Sequence, residues 1–151
     1  MTGEAAVISR KYGGEPEGHF ARVIDEPLIE RADLILTATR EHRAFVASTL
    51  PRASRYSFTL NEFVRLGAAL STVPNKDKAS DARPEDTLRS YVRDISARRG
   101  MVIPLVDPGD DDVEDPYRRE FAVYEQVGVV LDALTDAIAG RFRGVVGVAE
   151  S

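Results

Sequence analysis

Apolar residues recur at helical spacing through most of the chain, and short apolar runs separate some of these segments. Thr39 and Thr59 are placed to cap two of the predicted helices, and Glu62 completes a capping box with Thr59. Asp25, followed by a proline in the first turn, predicts a third, shorter helix. The residues before Gly13 also have the pattern of a helix.

Two short segments between these helices predict strands, and the first is an apolar run that favours a buried parallel strand. The first covers residues 34–38 (LILTA) and the second covers residues 56–59 (YSFT). Residues 101–106 are predicted to be extended. Because strands and helices alternate along the chain, the pattern indicates an α/β fold with a parallel sheet.

The C-terminal half is predicted to contain a loop and two helices. Residues 71–84 are polar with two prolines and indicate a flexible loop, and the helix that follows is ended by Gly100. The last helix is predicted to start at Asp115 and to end at Gly140, which leaves 140–151 as a loose tail. We expect residues 1–151 to form one domain.

Composition narrows the classes of function. The chain has 151 residues, a net charge of −5 and a pI near 5.1, a balance that argues against binding to nucleic acid. It has no apolar run of membrane-spanning length and no secretory pattern at its start, so we expect a cytoplasmic protein away from membranes. It has no cysteine, which excludes a disulfide framework and a thiolate metal site. No metal or other cofactor is predicted.

Asp115, followed by Pro116 and Tyr117, is a candidate general acid. An aspartate on a stiffened loop suits the task of protonating a leaving oxygen, and the ring of Tyr117 could flank an aromatic substrate. The alternative is that Asp115 is the N-cap of the last helix. Tyr124 lies on the apolar stripe of that helix, which favours packing in the core.

Residues 39–43 (TREHR) form a charged first helical turn. With Arg40 and Arg43 it could bind a phosphate group at the helix N-terminus, and the alternative is an exposed polar face. Two isolated histidines, His19 and His42, do not indicate a metal site. The acidic residues between 107 and 115 lack the spacing of a calcium loop and indicate a solvated acidic loop.

The order of these motifs resembles low-molecular-weight protein-tyrosine phosphatases of the actinobacterial type. The resemblance covers residues 13–139 and rests on four motifs in the same order. These are residues 31–37 (RADLILT), residues 39–43, residues 58–63 (FTLNEF), and Asp115 with its two following residues. It implies that Asp115 is the general acid, with Tyr117 and Arg40 as candidate substrate-binding residues.

The resemblance implies a three-layer α/β/α parallel sheet, here incomplete. The family's active-site loop, a cysteine, five residues, an arginine and then serine or threonine, follows its first strand and has no counterpart in this chain. Ser9 followed by Arg10 does not replace it. We therefore expect an N-terminally truncated sheet that lacks the first strand, with an apolar and unpaired edge on the strand over 34–38.

Three hypotheses follow for function. The first is a phosphatase-like protein, by resemblance a phosphotyrosine or other phosphomonoester hydrolase, that is inactive as given because the cysteine nucleophile is absent. The second is a non-catalytic binding module on the same scaffold, which would hold a phosphorylated protein or small phosphomonoester, or self-associate through its sheet edge. The third, an arsenate-reductase relative, needs several cysteines and is disfavoured.

Overall fold

The computed structural model describes residues 1–70 and 83–147. Within these residues the chain forms a mixed α/β structure in which helices predominate. Its elements follow in the order α1 (Gly3–Lys11), α2 (Glu26–Glu30), β1 (Ile35–Thr37), α3 (Arg40–Thr49), β2 (Ser57–Thr59), α4 (Leu60–Ala68), α5 (Pro84–Ala97) and α6 (Phe121–Val146).

A side chain caps the N-terminus of each of the first four helices. The three caps predicted from the sequence are confirmed: Asp25, Thr39 and Thr59 each accept a hydrogen bond from a backbone amide of the following first turn. The capping box at α4 is also complete, because Glu62 accepts the amide of Thr59. Thr2 caps α1 in the same way. Local chemistry therefore fixes where these helices begin.

The two strands pair in parallel, with Ile35 opposite Ser57 and Thr37 opposite Thr59. Both strands predicted from the sequence are confirmed, although β1 is shorter than the apolar run over 34–38. Residues 101–106 contain no strand. Within the described residues the sheet therefore has two strands. The predicted three-layer arrangement stays a prediction.

Separate hydrophobic clusters lie on the two faces of this sheet. Ile35 packs against a small cluster built from α2, α3 and the turn after α3. Leu34 and Leu36, the neighbours of Ile35, pack against a larger cluster from α4, α5 and α6. The alternation along β1 explains this division, since successive side chains of a strand lie on opposite faces. The larger cluster includes Phe58, Phe63, Leu66, Tyr91, Val92, Ile95, Ile138 and Val145.

The predicted limits of the last helix are wrong at both ends. α6 begins at Phe121 because Arg118 has a left-handed backbone (φ 61°), which interrupts a helix starting at Asp115. It continues through Gly140 to Val146 and ends at Gly147, whose φ of 75° is typical of a helix C-terminus. Burial of Val145 in the core outweighs the weak helix propensity of Gly140, so residues 140–146 are helical and not a loose tail.

The other helical boundaries agree more closely with the sequence. α5 ends at Ala97, and a short 3-10 turn continues to Gly100, where the sequence predicts the stop. The predicted loop over 71–84 lies outside the described residues except for its last two positions. Pro84 occupies the first turn of α5, a position that tolerates the missing amide hydrogen.

Gly128 lets α1 approach α6 closely. A methyl group at this position would lie 2.6 Å from Ile8 Cγ2 and 3.0 Å from Tyr12 Cε2. We therefore expect Gly128→Ala to lower the free energy of unfolding by about 1–2 kcal/mol, because the clash exceeds the gain in helix propensity. Urea denaturation measures this value.

Gly140→Ala is the matched control, since the nearest atom to its added methyl group is 3.8 Å away. This substitution should stabilise the protein by about 0.5–1 kcal/mol. Equal effects of the two substitutions would contradict the close packing of α1 on α6.

Candidate functional site

Arg40 lies at the N-terminus of α3, directly after β1. Its backbone amide donates to Asp112 Oδ1 at 2.6 Å, and its guanidinium donates to the same carboxylate at 3.1–3.3 Å. The hydrogen bond between the side chains raises the pKa of Arg40 and lowers the pKa of Asp112. The N-terminus of α3 therefore binds an anion, which is the carboxylate of the protein's own Asp112.

This contact changes the interpretation of the charged turn over residues 39–43. Arg40 does not form part of an empty phosphate site, and Arg43 donates to Glu62 Oε2 at 2.6 Å. Both arginines thus bind carboxylates of the chain itself, so the turn is not simply an exposed polar face either. A substrate-binding role for Arg40 stays a prediction, and a substrate phosphate would have to compete with Asp112.

The acidic loop is held against the carboxyl ends of the strands. Val113 is buried, and its amide donates to the carbonyl oxygen of Ala38, directly after β1, at 2.8 Å. Asp111 pairs with Arg65 of α4 at 2.8 Å. Because ligands of open α/β sheets bind outside the carboxyl ends of the strands, the loop occupies a region suited to function.

The loop does not have the geometry of a calcium site. Arginine side chains bind the carboxylates of Asp111 and Asp112. Over residues 1–70 and 83–147, no group of three or more potential metal ligands from histidine and acidic side chains comes together. The structure therefore pairs Asp111 and Asp112 with arginine side chains.

Asp115 and Tyr117 follow Val113, the residue that is hydrogen-bonded to the end of β1, and both are exposed. Asp115 Oδ1 accepts the backbone amide of Tyr117 at 3.0 Å, which forms a tight turn. The alternative interpretation, that Asp115 is the N-cap of the last helix, is wrong because α6 begins six residues later. Since two residues of chain span at most about 7 Å, Asp115 lies near Val113 and the end of β1. The general-acid role stays a prediction.

The aromatic ring of Tyr117 is available at the surface. Tyr117 is 56% exposed, and the guanidinium of Arg118 lies 5.1 Å from the centroid of its ring. By contrast, Tyr124 is buried, as the sequence predicts for a residue on the apolar stripe of α6. The two histidines, His19 and His42, are both exposed.

Glu62 has a second role that the sequence pattern does not predict. The capping box identified its role at the start of α4, but its side chain also binds two arginines. Arg43 donates to Oε2 at 2.6 Å, and Arg99 donates to Oε1 at 2.8 Å. Burial opposes ionisation of Glu62, yet Arg99 and Arg43 outweigh it, so the pKa of Glu62 is below its ordinary value.

Arg99 covers the outer edge of β2. Its guanidinium donates to the carbonyl oxygens of Ser54 and Ser57, and it stacks on Phe58 with 4.2 Å between Cζ and the ring centroid. A strand edge carries unpaired backbone groups that could bind another strand, and a charged side chain blocks that pairing. The outer edge of β2 is therefore occupied.

The outer edge of β1 is different. The amide of Ile35 donates across the sheet to the carbonyl oxygen of Tyr56 at 2.8 Å, so the amides of Leu34 and Leu36 face the opposite edge. Among the described residues no strand pairs there, and only the amide of Val113 reaches its carboxyl end, at Ala38. Within the described residues, the prediction that no strand pairs with this edge is confirmed, and its apolar character stays a prediction.

Comparisons of the whole chain with models of protein families, with curated proteins and with solved structures found no match. In the part of the chain that the structure describes, none of the helices combines the length and the apolar character needed to span a bilayer.

Proposed function

We propose that this chain is a phosphatase-like protein of the low-molecular-weight tyrosine-phosphatase type that does not hydrolyse phosphomonoesters by itself. In this proposal its lineage is phosphomonoester hydrolysis, with Asp115 at the position of the general acid and Tyr117 beside the substrate. The incomplete three-layer sheet belongs to the same proposal. The motifs that carry the resemblance occur in the same order as in that family.

The position of the acidic loop carries this proposal. The hydrogen bond from Val113 to Ala38 holds the loop at the carboxyl end of β1 and leaves Asp115 exposed just beyond it. Asp115 does not cap α6; its carboxylate accepts the backbone amide of Tyr117, which fixes the turn that presents both side chains at the surface. A proton donor alone gives little rate, because the cysteine thiolate and the phosphate-binding loop supply attack and charge stabilisation.

Hydrolysis of p-nitrophenyl phosphate by the purified chain tests the proposal. We expect no turnover above the buffer rate, both for the chain as given and for Asp115→Asn, because this chain has no cysteine to attack phosphorus. Asp110→Asn, in the same loop, is the matched control. Turnover that Asp115→Asn lowers by about tenfold or more would contradict the proposal, since a general acid contributes on that scale only where attack already occurs.

The asymmetry of the sheet edges favours a second candidate function, that of a strand-binding module. Arg99 covers the outer edge of β2, whereas the outer edge of β1 offers the amides of Leu34 and Leu36. An exposed edge of this kind binds extended segments through backbone hydrogen bonds. In a pure sample the available strand would come from a second copy of the chain, so this function would appear as self-association.

A further inference from the structure

A cleft of about 370 Å³ lies between α1 and α6, on a part of the molecule that the proposed phosphatase chemistry does not use. Its volume falls in the range of small-molecule sites, roughly 300–1,000 Å³. Gly128 forms part of its wall, where α1 approaches α6 most closely. Pro116 also lines the cleft and connects it to the segment that carries Asp115.

The wall of the cleft is mostly apolar and aromatic. Ile8, Val127 and Leu131 contribute aliphatic side chains, and Tyr12 and Tyr124 contribute rings. Tyr124 is 5% exposed and Ile8 is 9% exposed, so these two side chains are fixed by packing. A preformed apolar wall with aromatic rings suits the ring or alkyl part of a ligand.

The charge of the residues that line the cleft determines whether a cationic or an anionic ligand is favoured. Among the described residues that line the cleft, Asp132 is the one that carries a formal charge. Lys11 lies near the ring of Tyr12, at 5.9 Å from its centroid, but its ammonium pairs with Glu125 at 3.3 Å. The cleft therefore disfavours an anion such as a phosphomonoester, and the carboxylate of Asp132 favours a cation.

We propose that this cleft is a binding site for an aryl-alkyl ammonium compound. The aromatic ring of the ligand packs against the apolar wall between α1 and α6, and its ammonium group pairs with the carboxylate of Asp132. The hydroxyl groups of Ser9 and Thr135, which also line the cleft, supply hydrogen-bond acceptors for the remaining ammonium hydrogens. This proposal does not depend on the phosphatase-like function.

Titration of the isotopically labelled chain with 2-phenylethylammonium, followed by backbone amide NMR shifts, tests the proposal. We expect the shifts to be confined to residues 5–14, Pro116's neighbours and residues 124–135. The anion 3-phenylpropionate, which has the same phenylethyl group, should bind more weakly than the ammonium compound. Equal binding of the two probes, shifts that centre elsewhere, or no saturable binding of the ammonium compound would overturn the proposal.

Substitution of the exposed Asp132 tests the role of its charge without disturbing the core. We expect Asp132→Asn to weaken binding of 2-phenylethylammonium by about threefold to fivefold, which is the scale of an exposed ion pair. Asp132→Lys should reverse the preference, so that 3-phenylpropionate binds better than the ammonium compound. Asp136→Asn, one turn further along α6 and outside the lining, is the control. An unchanged preference in Asp132→Lys would contradict the assignment.

Discussion

Replacing Glu62 by glutamine is expected to lower the free energy of unfolding by about 2 kcal/mol, because the change leaves two half-buried arginines without the carboxylate that they share. The side chain of Glu62 is 7% exposed, and those of Arg43 and Arg99 are 34% and 28% exposed. The substitution also weakens the hydrogen bond that the carboxylate accepts from the amide of Thr59. Thermal or urea denaturation at neutral pH measures the loss.

The pH dependence of stability follows from the same contacts. Since the folded pKa of Glu62 is below its ordinary value of 4.5, ionised Glu62 contributes stability above that pH. This contribution is lost as the pH falls through the lowered pKa. The variant Glu62→Gln should therefore lose less stability than the original chain between neutral pH and pH values below 4.5.

Glu30→Gln is the matched control for this prediction. Glu30 pairs with Arg52, but the two side chains are 57% and 59% exposed. Solvent screens such a pair, so its loss should leave the free energy of unfolding nearly unchanged. If Glu62→Gln were as mild as Glu30→Gln, the two arginines would not depend on Glu62 and the proposed network would be wrong.

A proline at position 34 is expected to weaken self-association through the open edge of β1 by about tenfold. Leu34 and Leu36 place their amides on that edge, and a proline at position 34 removes one of these donors. In a two-fold symmetric dimer each lost hydrogen bond occurs twice, at about 0.5–1.5 kcal/mol each. Sedimentation velocity over a series of concentrations measures the dissociation constant.

Leu34→Ala separates the loss of the donor from the loss of packing. The side chain of Leu34 packs against the larger hydrophobic cluster, and both substitutions remove that contact. The alanine variant keeps the backbone amide. Its dissociation constant should therefore equal that of the original chain when both are compared at the same concentration of folded protein. A chain that stays monomeric at all concentrations, or two variants that associate equally, would contradict strand pairing at this edge.

Features controlled by neighbouring residues could be predicted from the sequence. The caps at Asp25, Thr39 and Thr59 each depend on an amide within three residues of the capping oxygen. The strands could also be predicted, because β1 lies in a short apolar run and β2 in a short segment with two aromatic residues, Tyr56 and Phe58. These local patterns determine where the helices and the strands begin.

Contacts between distant residues were not predictable from one sequence. Arg99 binds Glu62 across 37 positions, and Asp112 binds Arg40 across 72 positions. Nothing in the local pattern distinguishes these charged residues from neighbours that face solvent. The end of the C-terminal helix could not be predicted for a related reason, since burial of Val145 in the core extends the helix past Gly140.

Hydrogen exchange at the amide of Leu36 tests most directly whether one sheet edge is covered and the other is open. At concentrations where the chain is monomeric, the Leu36 amide should exchange much faster than the Ile35 amide, which donates to Tyr56 at 2.8 Å. Its exchange should slow as concentration rises and a second strand pairs with the edge. A Leu36 amide that is protected as strongly as that of Ile35 in the monomer would contradict the open edge.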